Sequence, residues 1–126
     1  MTWVAIAAGG AFGSIARHAV NHLARRQWLS SQFPAGIVIV NVTGCFIIGV
    51  LAGLLASGRI ALPLHWREFV FVGLLGGYTT FSTFGLDTFE LARTHSIGFA
   101  LLNVGAHVIG GLLAVWVGYH LGVAGR

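Results

Sequence analysis

Ten charged residues punctuate this chain, and the stretches between them decide what it can fold into. They are Arg17, Arg25, Arg26, Arg59, Arg67, Glu68, Asp87, Glu90, Arg93 and Arg126, so residues 1–16, 27–58, 69–86 and 94–125 hold no Lys, Arg, Asp or Glu. A helix needs about 20 mostly apolar residues to cross the hydrocarbon core of a bilayer. The four intervals supply or nearly supply that length, which predicts helices over about 3–24, 36–57, 67–92 and 97–122. With 8% charged residues the chain falls far below the quarter or so of a soluble domain. The expectation is one all-α domain of four transmembrane helices, residues 1–126, in a lipid bilayer.

The connections are short, around Arg25 to Ala35, Ser57 to Trp66 and Arg93 to Ser96, and nothing marks a second domain. No positively charged stretch precedes the first apolar run and no small-residue cleavage pattern follows it, so this helix is expected to stay in the membrane. Four crossings put Arg59, Arg67 and Arg126 on the side of the termini and Arg25, Arg26 and Arg93 on the other. Three against three gives no preferred orientation under the positive-inside rule. A chain inserted both ways shows that balance and can pair with an inverted copy of itself; short loops also make the count noisy. The high isoelectric point reflects seven arginines in a lipid-soluble chain, not a nucleic-acid partner. Cys45, the one cysteine, reads as a small packing residue.

Gly9 and Gly13, Gly49 and Gly53, Gly73 and Gly77, and Gly118 and Gly122 each leave three residues between glycines, which puts two small residues on one helix face. Such faces let helices approach closely, in a bundle or a dimer, though 19 glycines also produce the spacing by chance.

Chemistry concentrates in residues 73–88, Gly-Leu-Leu-Gly-Gly-Tyr-Thr-Thr-Phe-Ser-Thr-Phe-Gly-Leu-Asp-Thr. Paired glycines and clustered hydroxyl residues predict an interruption of the third helix near Gly76 to Thr80. Unwound backbone at membrane depth survives only when buried in protein or lining a water-filled cavity, and broken helices recur at ion sites near the midplane. A glycine kink satisfied by threonine side chains is the simpler alternative. Phe81 and Phe84 are three apart, so a resumed helix carries both rings on one face beside the hydroxyls of Ser82 and Thr83. Ring edges are positive and suit a small anion; on spacing alone such a pair is far more often lipid-facing or core packing.

Asn41 and Asn103 each offer an intramembrane amide, for a pore or for an interhelical hydrogen bond. Arg17 either snorkels or meets anions at a vestibule. Asp87 stands near the exit of the third helix, while Glu90 and Arg93 have the spacing of a solvated helical ion pair. Of six histidines, His18 and His22 share a helix face beside arginines at a helix end, and His107 alone is deep, where a packed, hydrogen-bonded ring is expected.

The run Gly-Gly-Tyr-Thr-Thr-Phe-Ser-Thr-Phe at 76–84 resembles the signature of the Fluc/CrcB family of bacterial fluoride channels. Gly9-Gly10, Gly13 and Arg17, Asn41 with Gly44, and His107 to Gly110 resemble the family's other helices, so the likeness runs nearly full length. The resemblance implies an antiparallel, dual-topology homodimer in the bacterial inner membrane that lets fluoride pass passively and in preference to chloride. It implies a fluoride pathway along Phe81, Phe84, Asn41, Ser82 and Thr83, with Asp87 and Asn103 assigned to it more weakly and Arg17 in a vestibule or structural role. It also implies a structural sodium ion at the dimer centre on the backbone carbonyls of Gly76 and Thr79, and no organic cofactor. Two positions depart from the pattern: Asp87 stands for a glutamate and Gly111 for a frequent hydroxyl residue.

The main rival is a small proton-coupled multidrug transporter of dual topology, which requires a membrane-embedded carboxylate. The first helix has none, and Asp87 and Glu90 lie toward the end of the third. A haem-binding anchor subunit needs paired deep histidines, and only His107 qualifies. No nucleophile with a base or acid dyad appears in the apolar segments, so an enzyme is not expected.

Overall fold

A computed structural model describes residues 1–27 and 32–124. Arg126, counted above with the terminus-side arginines, lies outside the described residues. Every regular element among the described residues is helical. The first helix is Thr2–Gln27, the second Ala35–Ala56 and the fourth Ile97–Val123. The third is assembled from Leu64–Arg67, a π-helical stretch Glu68–Leu75, and Gly76–Tyr78, then resumes as Phe81–Thr94. Three helices, Ala35–Ala56, Leu64–Thr94 and Ile97–Val123, are long and apolar enough to cross a membrane. The first has 26 residues, about 39 Å at the usual rise, and carries Arg17, Arg25 and Arg26 in its second half.

Local chemistry accounts for the helix ends. Pro34 and Pro63 precede the second and third helices. The second closes at Gly58, whose φ of 71° lets Gly58 N–H reach Leu55 O at 3.1 Å and Arg59 N–H reach Leu54 O at 3.0 Å. The fourth opens on Ser96, whose hydroxyl accepts from Phe99 N–H at 3.2 Å.

The four glycine pairs are spent inside the chain, matched two and two. Gly9 and Gly13 of the first helix lie on the backbone of residues 69–78, while Gly73 and Gly77 lie on residues 6–10 of the first. A methyl at Gly77 would stand 2.7 Å from Gly10 O, and one at Gly73 2.8 Å from Ile6 O. Gly49 and Gly53 of the second helix meet Val115 to Gly122 of the fourth, and Gly118 and Gly122 meet residues 46–54 in return. Lipid tails are as apolar as leucine, so close backbone contact of this kind replaces the hydrophobic core of a soluble bundle. Val40 and Asn103 are accordingly the only large side chains that are fully buried among the described residues.

The interruption of the third helix is narrower than expected. Gly76 to Tyr78 stay helical, and only Thr79 (φ −85°, ψ 159°) and Thr80 (φ −153°, ψ 120°) are extended. Gly77 is small because the first helix presses on it, not because the chain unwinds there.

Candidate functional site

The extended dipeptide leaves backbone groups that a bilayer cannot satisfy, and each finds a partner from another element or a neighbouring residue. Asn41 Nδ2 donates to Thr80 O at 3.0 Å, and Thr80 N–H donates to Asn41 Oδ1 at 2.9 Å. One carboxamide thus stands in for a neighbouring strand. Thr79 N–H and Oγ1 both donate to Leu75 O, at 3.0 and 2.9 Å, which closes the first half-helix. Arg17 Nη1 donates to Thr79 O at 3.3 Å. Arg17 therefore serves the break instead of snorkelling to the surface.

The second half-helix, Phe81–Thr94, begins at membrane depth with Thr80 as its cap: Thr80 Oγ1 accepts from Thr83 N–H at 3.2 Å. The same hydroxyl donates to Thr83 Oγ1 at 3.1 Å, so its 3.2 Å contact with Ser82 Oγ is made by the serine's proton. A helix N-terminus carries positive partial charge on N–H groups that lack intrahelical acceptors, and it favours anions. A hydroxyl-rich, anion-favouring end thus faces the break.

A groove of about 440 Å³ opens there, lined by Asn41, Thr80, Phe81, Phe84 and His107 together with Gly44, Cys45 and Gly76. The Phe81 and Phe84 ring centroids are 5.4 Å apart at 58°, and Phe84 lies 4.5 Å from His107 at 43°. Phe81 is 82% exposed at one side of this groove. On the other side of the half-helix, Asn21, Arg25, Thr83 and Asp87 line a second, more polar groove of about 390 Å³.

The sequence-predicted residues thus divide. Asn41, Phe81 and Phe84 share the first groove, Ser82 and Thr83 ring the Thr80 cap, and Thr83 and Asp87 share the second groove. Asn103 lines neither: fully buried, it donates through Nδ2 to Thr88 Oγ1 at 2.8 Å. Glu90 and Arg93 form the expected ion pair, 2.8 Å apart and well exposed, which adds little stability. Sequence reasoning took His107 as a packed ring; its Nδ1 does bond Asn103 O at 2.9 Å, but it also lines the first groove. Thr80 was missed as a cap because its value depends on where the helix restarts. Arg25 was missed because only the fold brings the first helix beside Asp87.

The break leaves acceptor capacity on the backbone carbonyls of Gly76 and Thr79. Thr80 N–H, which a continuing helix would aim at Gly76 O, is taken by Asn41. The Thr79 carbonyl gives one lone pair to Arg17 and keeps another. Among the described residues no three His, Cys, Asp or Glu gather as an alternative metal site.

Residues 4–119 match the family model described as CrcB-like protein, Camphor Resistance (CrcB). The chain belongs to the CrcB family. Relatives in it include a protein of Nitrobacter winogradskyi, 47% identical over 121 residues that cover 87% of this chain and 94% of its own length. One from Methylobacillus flagellatus is 40% identical over 92% of this chain and 90% of its own length. A third, from Rhodospirillum rubrum, is 41% identical over 94% and 92%. Each is named a fluoride-specific ion channel FluC. The CrcB match spans all four helices and includes the break, both phenylalanines and Asn41.

Proposed function

We propose that this chain is a fluoride-selective channel, exporting the ion passively across the bacterial inner membrane, and not an enzyme. The observation that carries the reading is the capped half-helix: its N-terminus and the Ser82 and Thr83 hydroxyls meet at the break, with Phe81 and Phe84 lining the groove beside it. Fluoride is a small, strong hydrogen-bond acceptor. N–H and O–H donors and positive ring edges replace its hydration shell. The printed names of the CrcB relatives support the choice of ion.

A pathway open on one side is completed by a second copy, and the arginine balance favours an inverted one. Such an antiparallel homodimer requires all four helices to span and gives two pores. Two chains also bring four carbonyl oxygens, from Gly76 and Thr79 of each, to one central sodium ion. Hard oxygen donors suit that ion. Asn41 keeps one amide N–H beyond its bond to Thr80 O for a passing anion.

The deciding experiment is ion efflux from liposomes containing the purified protein, with fluoride and chloride compared for the wild type, Phe81→Ile and Phe84→Ile. Fast fluoride efflux, slow chloride efflux and loss of fluoride flux in the variants are expected. Fluoride leaving no faster than from empty liposomes overturns the reading. For the dimer, single cysteines placed on opposite connections in a Cys45→Ala background crosslink between copies if the pair is inverted.

A further inference from the structure

Four buried side-chain atoms lack a partner among the described residues, and one of them, Glu68 Oε2, belongs to neither groove of the site. Glu68 lines a third groove of about 390 Å³, between Ala52 and Leu55 of the second helix and Arg67, Phe71 and Val72 of the third. The second helix ends at Ala56 and the third begins at Leu64, so this groove starts at one end of the bundle. Arg67 and Glu68 are the last charges before the uncharged interval 69–86. Trp66 beside them is half exposed and packs edge-on against Phe69, with ring centroids 5.7 Å apart. A tryptophan at a charged helix entry marks the headgroup layer of a bilayer. Phe71 and Val72 lie one turn deeper, and Val72 is 56% exposed, so the groove runs from headgroup depth into hydrocarbon and opens outward. A buried carboxylate oxygen needs a donor, and no ion pair to Arg67 or to any other described residue supplies one.

We propose that this groove is a binding site for a phospholipid with a primary-ammonium headgroup, of the phosphatidylethanolamine type. The ammonium donates to Glu68 Oε2, the phosphate meets the Arg67 guanidinium, and one acyl chain follows Phe71, Val72 and Ala52. Adjacent side chains of opposite charge match the two charges of a zwitterionic headgroup, and the apolar remainder of the groove matches its tail. An ammonium brings three N–H donors and makes a charge-assisted hydrogen bond with a carboxylate. A guanidinium is the natural partner of a phosphate. Other headgroups fit less well. Choline carries the same charge but has no N–H, and glycerol has no cation and leaves the lipid negative beside Glu68. Serine adds a carboxylate that Glu68 repels. The site is independent of the fluoride pathway and of the ion that uses it.

Native mass spectrometry of the purified protein tests this, with phosphatidylethanolamine, phosphatidylcholine and phosphatidylglycerol of identical acyl chains titrated in turn. The wild type binds the ethanolamine lipid about tenfold more tightly than either of the others, the scale of one hydrogen bond to a charged group. Glu68→Gln removes the carboxylate charge and loses the preference for ethanolamine over choline. Arg67→Gln weakens the ethanolamine and choline lipids together and keeps their ratio, since both carry the phosphate. Ala52→Leu fills the apolar end of the groove and weakens all three. Equal binding of ethanolamine and choline lipids by the wild type overturns the proposal, as does a preference kept in Glu68→Gln. A Glu68→Gln protein whose assembly falls apart into single chains shows that a second copy supplies the missing donor, which also overturns it. If Glu68→Gln does not fold, loss of the ethanolamine lipid from Ala52→Leu places it in this groove, and undiminished binding there refutes the site. No measurement involves fluoride, so failure here leaves the channel reading standing, and failure of fluoride efflux leaves the lipid site standing.

Discussion

The carboxamide of Asn41 grips the backbone of Thr80 at both its N–H and its C=O, at 2.9 and 3.0 Å. A single side chain thereby satisfies two peptide groups that the broken helix would leave bare in the membrane. Asn41→Ala orphans both, at about 1–3 kcal/mol each. The melting temperature in detergent falls and fluoride flux falls with it. Asn41→Asp is the sharper test: it keeps an acceptor for Thr80 N–H but sets an oxygen against Thr80 O, so it rescues neither quantity. Rescue by aspartate in either assay rules out the two-point grip.

Thr80→Val keeps the shape of the cap and removes its oxygen. Loss of an N-cap costs about 0.5–2 kcal/mol, and here the Ser82 and Thr83 hydroxyls lose their common partner as well. Flux drops several-fold in Thr80→Val and is largely kept in Thr80→Ser. Equal flux in both variants would mean that the cap does not shape the pathway.

The glycine pairs separate packing from chance. A methyl at Gly13 collides with the backbone at Leu74 and Tyr78, whereas one at Gly10 meets nothing within 4 Å. Gly13→Ala therefore costs about 1–3 kcal/mol through overpacking, while Gly10→Ala is neutral or stabilises by up to about 1 kcal/mol. Thermal unfolding of the two variants side by side checks this, and equal melting temperatures refute the pairing of the first and third helices.

How much of this was legible beforehand follows from the range of each interaction. The helices were readable because charge-free intervals are a property of the chain itself, and their expected bounds fall within a few residues of the observed ones. The break was placed near Gly76 to Thr80 but drawn too wide. Glycine in sequence does not reveal whether it unwinds a helix or admits a neighbour, and at Gly77 it admits Gly10. The π-helical turns at Glu68–Leu75 left no recognised signal, since no residue type marks them. Asn41 was singled out as an amide in an apolar run, yet its partner, 39 positions away, is known only once the second and third helices are packed. Arg17 shows the same limit: an arginine in an otherwise apolar stretch announces that it needs an acceptor, and only the fold names Thr79 O.

That last contact yields a prediction about sodium. The Arg17 guanidinium lies 3.3 Å from the Thr79 carbonyl oxygen proposed to hold the central cation, so a fixed positive charge competes there with a bound one. At an effective dielectric constant near 20, two unit charges a few ångströms apart repel by a few kcal/mol, less whatever the bilayer surface screens. Arg17→Gln keeps an N–H donor for Thr79 O and removes the charge. The sodium concentration giving half-maximal fluoride flux, titrated against a bulky organic cation, then falls by about tenfold or more. In the wild type, full replacement of sodium slows flux. Flux indifferent to sodium in both proteins removes the cation from the site and leaves Arg17 as a cap on the broken helix; a higher sodium requirement in Arg17→Gln shows that the guanidinium shapes the carbonyl site instead of competing for it.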